Sequence, residues 1–101
     1  MTDISKSDGR ITVPNKLDSA AAIKLKIALD ARIGEPISLD ARAVTLIGAQ
    51  SVQVLLAAKA KWSTHGQQFD ILNLSNEIIQ ILGMLGVSPH LIGFQEVPSG
   101  S

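Results

Sequence analysis

Hydrophobic residues in this chain of 101 residues fall into short apolar blocks and longer stripes with helical spacing, and the two kinds of segment alternate. Apolar blocks of this length, bounded by turn residues, predict strands. They lie at residues 10–13, 37–40, 69–74 and 91–94. The turn residues 7–9 are predicted to join the first strand to residues 4–6 in a small hairpin. Strands that alternate with helices are typical of an α/β domain whose mixed or parallel sheet is covered by helices.

The first predicted helix begins at Asp18 or Ser19, because the side-chain oxygen of either residue can accept from the free N–H groups of a first turn. The helix is predicted to end near Ile33, ahead of Gly34, since glycine readily takes the left-handed conformation that follows many helices. Its buried face is predicted to carry Ala20, Ile23, Ile27 and one of Ala28 or Ala31.

Two further helices are predicted, one at residues 48–65 and one that begins at Ser75 and ends at Gly86. Apolar residues spaced three and four apart define their buried faces. In the second helix these are Val52, Leu55, Leu56 and Ala60, and the opposite side carries Gln50, Gln53, Lys61 and Thr64. In the third helix the inward residues are Ile78, Ile81, Leu82 and Leu85.

Together these elements predict an α/β fold in one domain, residues 1–97, with a central mixed sheet of about four strands and three main helices. A chain of this length with 46% hydrophobic residues can bury one ordinary core. Residues 98–101 are predicted to form a flexible tail of the kind that an expression vector leaves. Because the charge is balanced and the helix and strand faces account for the apolar residues, we expect a monomer when the domain is alone.

Composition excludes several classes of function. Nine basic and nine acidic residues are interspersed and give a net charge of zero, so the clustered cations that nucleic-acid binding requires are missing. The chain has no cysteine, which excludes disulfides, a cysteine nucleophile and thiolate metal ligands. No apolar run approaches the ~20 residues of a membrane span, and the N-terminus lacks the apolar core of a signal peptide. We therefore expect a cytoplasmic protein without membrane insertion.

The residue types that carry catalysis are not arranged for it. His65 is predicted at a helix end and His90 in a loop, and neither has a partner at metal-ligand spacing. Asp18 and Asp40 lie at element ends, where capping and turn roles are common. Gly48 is not part of a phosphate-binding glycine pattern. The sequence therefore predicts no catalytic residue, no metal site and no cofactor.

Five short motifs resemble the STAS domain, the fold of anti-sigma factor antagonists. Residues 37–40 form a strand ending in Leu-Asp, and residues 44–51, V-T-L-I-G-A-Q-S, open the second helix. Leu-Asp at 17–18, L-N-L-S at 72–75 and L-G-V at 85–87 occupy the places of further STAS motifs. The resemblance covers about residues 10–95. In STAS antagonists the turn before the second helix has the form V-x-x-I-D-S-S-G, and its central serine is phosphorylated.

This chain departs from the family at that turn. Gly48 replaces the aspartate and Ala49 replaces the phosphoacceptor serine. Ala49 is thus a degenerate phosphorylation position, and the resemblance implies a domain without the usual switch. In this family the N-terminal end of the second helix is the partner-binding surface. The resemblance therefore implies partner contacts by Thr45, Gly48, Ala49, Gln50, Ser51 and Gln53.

Two residues near this surface have alternative interpretations. Ser51 is the nearest hydroxyl to Ala49, and it is either a solvated residue of the first helical turn or a displaced phosphate acceptor. Trp62, the single tryptophan, is either packed at the edge of the core or partly exposed as an interface anchor.

The resemblance is greatest to small single-domain STAS proteins of alphaproteobacterial chemotaxis operons. It implies a non-catalytic adaptor that binds a chemotaxis histidine kinase, whose ATP-binding domain is of the GHKL type, and that modulates phosphoryl flow to or from response regulators. Two alternatives remain. One is an anti-sigma factor antagonist that acts without phosphorylation, and the other is a cytoplasmic STAS subunit of a lipid transporter.

Overall fold

Short parallel strands form the centre of the molecule. The computed structural model describes residues 10–94. Its strands are β1 (Arg10–Thr12), β2 (Lys16–Leu17), β3 (Ile37–Asp40), β4 (Leu46–Ile47) and β5 (Phe69–Leu72). They form a three-stranded sheet in the order β1-β3-β5 and a two-stranded sheet of β2 and β4. Every pairing between these strands is parallel. The predicted α/β class is confirmed and the strand count is close to the prediction, but the pairing of these strands is parallel rather than mixed.

Three α-helices and a short 3₁₀ helix connect the strands and follow them. They are α1 (Ser19–Asp30), α2 (Ala49–Thr64), α3 (Asn76–Met84) and the 3₁₀ helix Pro89–Ile92. The predicted cap of α1 is Asp18, whose carboxylate accepts from the N–H of Ala21 at 3.0 Å. Ser75, the predicted start of the third helix, is also a cap, since its hydroxyl accepts from the N–H of Ile78 at 3.2 Å. Each cap satisfies one of the free N–H groups of a first turn.

The core lies where α1, α2 and α3 face the strands. It is built mainly from leucine, isoleucine and valine side chains of the strands and helices, including Ile37, Leu39, Leu55, Ile71, Ile78 and Leu82. The ring of Trp62 packs against that of Phe69 with centroids 5.4 Å apart and planes tilted by 54°. Such a tilted aromatic pair is favourable beyond the apolar area it buries.

The buried face of α1 differs from the prediction. Ala22, Leu25 and Leu29 are buried, whereas Ile23 and Ile27 are 64% and 65% exposed, and the predicted Ala20, Ala28 and Ala31 are exposed as well. The two stripes have the same helical spacing and differ by a shift of two residues. The leucine stripe packs on the core, and the isoleucine stripe is left facing outward. The helix also ends earlier than predicted, at Asp30, and the chain reaches Gly34 through a turn.

The C-terminal segment also differs from the prediction. Residues 91–94 do not form a strand, because Pro89 starts a 3₁₀ helix and Gly93, with φ of 95°, ends it. Proline has no N–H to lose in a first turn, which favours the helical start. One bridge between Ile71 and Phe94 is all that remains of the predicted strand pairing in the described residues. Ala60 and Leu85, predicted to be buried, are exposed.

The other strand predictions differ from the structure in length and number, or fall outside the described residues. The third predicted strand ends at Leu72 rather than at residue 74, and the two-residue strands β2 and β4 were not predicted. Residues 4–6 of the predicted hairpin and the tail at 98–101 lie outside the described residues, so both stay predictions. Across residues 10–94, none of the helices combines the length and the apolar character needed to cross a membrane.

Candidate partner-binding site

The turn that opens α2 is held in place by backbone hydrogen bonds to the segment before α1. The N–H of Thr45 donates to the carbonyl of Asn15 at 2.7 Å, and its hydroxyl donates to the same oxygen at 3.3 Å. The N–H of Gly48 donates to the carbonyl of Leu17 at 2.9 Å. Together with the pairing of β2 and β4, these bonds fix the entry of the chain into α2.

The predicted partner-binding residues do not share one environment. Thr45, Ala49, Gln50 and Gln53 are exposed, Gly48 is partly exposed, and Ser51 is fully buried. Gly48 is the N-cap of α2 and provides no side-chain cap. The first-turn residues 49–52 include no acidic side chain. The N-terminal end of α2 therefore presents free N–H groups and the partial positive charge of the helix without a carboxylate of its own first turn.

Ser51 connects the N-terminal ends of two helices. Its side chain is 0% exposed, and its hydroxyl donates to the backbone carbonyl of Asp18 at 3.2 Å. The same carbonyl accepts from the N–H of Ala22 at 2.9 Å. The interpretation of Ser51 as a solvated residue is wrong, because α1 covers it. Its hydroxyl is also inaccessible as a phosphate acceptor in the folded domain.

A groove of about 640 Å³ runs between α1 and α2. The two helices are parallel neighbours, because Ser51 meets Asp18 at their N-terminal ends and Lys61 meets Asp30 at 3.7 Å near their C-terminal ends. Gln50 and Gln53 line the groove, together with apolar residues from both helices, chiefly Ala20, Ile23, Val54 and Ala57. The groove thus continues the predicted partner surface along the helices.

Sequence reasoning missed this groove because it assigned Ile23 to the core. A usable signal was present, since α1 carries apolar residues on more than one side and one of its two stripes had to remain uncovered by the core. Trp62 lies beneath the groove. It is 1% exposed, and its indole N–H donates to the carbonyl of Glu35 at 2.6 Å. Its role is packing, and the interpretation as an exposed interface anchor is wrong.

Asp40 has a structural environment at the end of β3. Its carboxylate accepts from the Asn73 amide at 3.0 Å and from the N–H of Arg42 at 3.0 Å. The Arg42 guanidinium lies 3.8 Å away. The Asn73 hydrogen bond, and then the Arg42 N–H, hold the pKa of Asp40 below its ordinary value of 3.8. The ionised carboxylate thus links the end of β3 to Asn73, the residue after β5. This structural role accounts for Asp40 without a part in binding or catalysis.

The histidines lie apart from this surface. His65 is the C-cap of α2, with its Nδ1 atom 2.9 Å from the carbonyl oxygen of Lys61, and His90 is exposed on the 3₁₀ helix. In the part of the chain that the structure describes, no three His, Cys, Asp or Glu side chains form a cluster suited to a metal ion.

Comparison with known protein families identifies the fold. A family model described as "Mlab, STAS domain" matches residues 1–93. The chain belongs to the STAS domain family. A search of curated proteins finds no match. STAS domains are generally regulatory or binding modules rather than enzymes, and membership supports an anti-sigma factor antagonist-like or other regulatory role.

Proposed function

We propose that this STAS domain is a non-catalytic adaptor that binds a chemotaxis histidine kinase with a GHKL-type ATP-binding domain. Binding would modulate phosphoryl flow between the kinase and its response regulators. The observation that carries the proposal is that the turn at the start of α2 is fixed and exposed but lacks the phosphorylated serine of the family. The turn is held by Asn15 and Leu17 and is exposed at Ala49, but it has a methyl group where the family has a phosphorylated hydroxyl.

The hydrogen bonds around the start of α2 are consistent with a domain that binds a partner and is not switched off by phosphorylation. Thr45, Gln50 and Gln53 are exposed. The turn before α2 is fixed by hydrogen bonds from Thr45 and Gly48 to the segment at residues 15–17, and the first turn of α2 is fixed by the buried Ser51. A fixed surface loses little conformational entropy on binding. Because Ala49 has no hydroxyl, kinase activity cannot reverse binding by modifying that position. Such a domain would be regulated by its abundance or by its partner.

The test uses Gln53→Arg, which places a bulky charge on the exposed side of α2. Arginine is a good helix former, so the domain should fold normally. We expect the affinity for the full-length kinase, measured by calorimetry, to fall by at least about tenfold, or roughly 1.4 kcal/mol. Gln80→Arg is the matched control, since Gln80 is an exposed glutamine on α3. Circular dichroism checks the fold of both variants.

The same titration separates the alternatives. If wild type binds a sigma-regulator kinase and no chemotaxis kinase, the domain is an antagonist that acts without phosphorylation. If it binds only the ATPase subunit of a lipid transporter, it is a transporter subunit. If the chemotaxis kinase binds wild type and Gln53→Arg equally well, the adaptor role survives but the N-terminal end of α2 is not the interface. Phosphotransfer from labelled kinase to its regulators should change when the domain is added.

A further inference from the structure

The groove between α1 and α2 has the shape of a helix-binding surface. Ile23 on one wall is 64% exposed, so the groove is open to solvent along the helices, whereas most small-molecule pockets are deep clefts. Its lining includes small side chains at Ala20, Ala57 and Ala58, which leave space for larger ones. An amphipathic helix places apolar side chains at positions i, i+3, i+4 and i+7 into grooves of this kind.

The charges around the groove favour an acidic occupant. Two lysines, Lys26 and Lys61, line its C-terminal end and share a single carboxylate, that of Asp30. Lys26 is hydrogen-bonded to Asp30 at 2.9 Å, whereas Lys61 is 3.7 Å from it and has capacity for another anion. At the other end, the Asp18 carboxylate already caps α1, whereas the first turn of α2, residues 49–52, contains no acidic residue and has no side-chain cap. The lysine end of the groove and the start of α2 therefore attract negative charge.

A second copy of the chain would fit this groove poorly. The apolar residues that α1 leaves exposed, Ile23 and Ile27, are the natural candidates to enter a neighbour's groove. The same helix carries Lys24 and Lys26, which would then approach Lys26 and Lys61 of the other copy. Like charges placed face to face oppose association.

From these observations we infer that the groove binds an acidic amphipathic helix of the histidine kinase. Such a helix would place two or three apolar side chains over Ile23, Val54 and Ala57, and a carboxylate beside Lys61. A helix of about 12 residues, about 18 Å long at ~1.5 Å per residue, would match the length of α1. The inference rests on the proposed adaptor function, because it takes the kinase as the protein that provides the helix.

The experiment compares substitutions of equal chemistry inside and outside the groove. Ile23→Glu and Ala57→Glu place a carboxylate on each wall, and Ile27→Glu is the matched control, since Ile27 is 65% exposed on the same helix and does not line the groove. Glutamate is well tolerated in helices, and at position 57 it can pair with Lys61 one turn later. Calorimetry with the full-length kinase should show losses of at least about tenfold for the two groove variants and a change below about twofold for Ile27→Glu.

A second comparison tests the sign of the charge. Lys61→Glu should weaken kinase binding and flatten its dependence on salt, whereas Lys24→Glu, the same change outside the groove, should do neither. Hydrogen exchange on the kinase should locate the contact in an acidic helix. The inference is refuted if the protected amides of the kinase lie only in a basic or non-helical segment. It is also refuted if Lys61→Glu binds the kinase as tightly as wild type does.

The outcomes separate the groove from the adaptor function. If the kinase binds wild type and both groove variants equally, the inference fails while the adaptor role stands. The inference also fails if only Gln53→Arg weakens binding, since the interface is then confined to the start of α2. If no histidine kinase binds wild type, the adaptor role fails, and the inference fails with it. Sedimentation that shows a wild-type dimer made monomeric by Ile23→Glu would assign the groove to a second copy instead.

Discussion

Ser51 provides the sharpest test of the structure, because one residue combines full burial with a defined hydrogen bond. In Ser51→Ala the hydroxyl donor is lost, but the Asp18 carbonyl keeps its bond from the N–H of Ala22. No buried acceptor is left unpaired, so the cost should be about 0.5–1.5 kcal/mol, the net value of one hydrogen bond. For a domain of this size, each kcal/mol lowers the melting temperature by roughly 4–8 °C.

Ser51→Asp should be far more damaging. The new carboxylate would be buried against the carbonyl of Asp18, an acceptor facing an acceptor, and desolvating an unpaired charge costs several kcal/mol. We expect a loss of about 3 kcal/mol or more, a large part of the ~5–15 kcal/mol that stabilises a typical domain. Ala49→Asp is the matched control. Its carboxylate would be exposed in the first turn of α2, where the helix dipole stabilises it by about 0.3–1 kcal/mol.

Urea unfolding followed by the fluorescence of Trp62, the single tryptophan, measures all three variants, since this ring is buried in the folded domain. The reasoning is refuted if Ser51→Asp is as stable as Ala49→Asp, because position 51 must then be exposed.

The intact mass of the wild-type domain should not change after incubation with a STAS-directed serine kinase and ATP. A phosphate mapped to Ser51 in the folded domain would restore the displaced acceptor.

Two further predictions concern the core and the strand ends. Leu55→Ala, at a side chain 2% exposed, should cost about 2–5 kcal/mol in chemical denaturation, and a cost within error would mean that the face of α2 is misassigned. Asn73→Gly keeps the left-handed backbone at φ of 67° but removes the amide that donates to Asp40, so stability at neutral pH should fall by about 1 kcal/mol. Because the folded pKa of Asp40 is lowered, this contribution exists above its ordinary pKa of 3.8 and disappears as the pH falls through and below that value. Denaturation curves of the two proteins should therefore converge in acid, and a gap that is constant with pH would contradict the assigned role of Asp40.

Sequence patterns predicted the order of the helices and longer strands because each has a local cause. Asp18 and Ser75 start helices through their own side chains, and residues 37–40 are apolar at alternate positions. The face of α1 had no such local determinant, since Ile23 belongs to a stripe with the same spacing as that of Leu25. The choice depends on which side chains fit the core, which is a property of the whole fold.

The environment of Ser51 also lay beyond the reach of sequence patterns. A serine in a first turn is ordinarily solvated, and its partner carbonyl at Asp18 lies 33 residues earlier in the chain. The strands β2 and β4 contain two residues each, too few to show a periodicity. The exposed residues Thr45, Gln50 and Gln53 were placed correctly on the surface, but their role as partner contacts came from the family resemblance and stays a prediction.

The parallel pairing of the strands has a consequence for how the domain acquires its structure. Partners in all three ladders lie roughly 30 residues apart along the chain, so each pairing must close a long loop before any contact compensates for the lost entropy. During synthesis β1 has no β3 to pair with until α1 has been made, and β3 has no β5 until α2 has been made. The helices are local and can form first, while the sheet assembles late. Refolding should therefore be slower than that of a helical bundle of equal length, and a nascent chain that ends before β5 should lack a stable core.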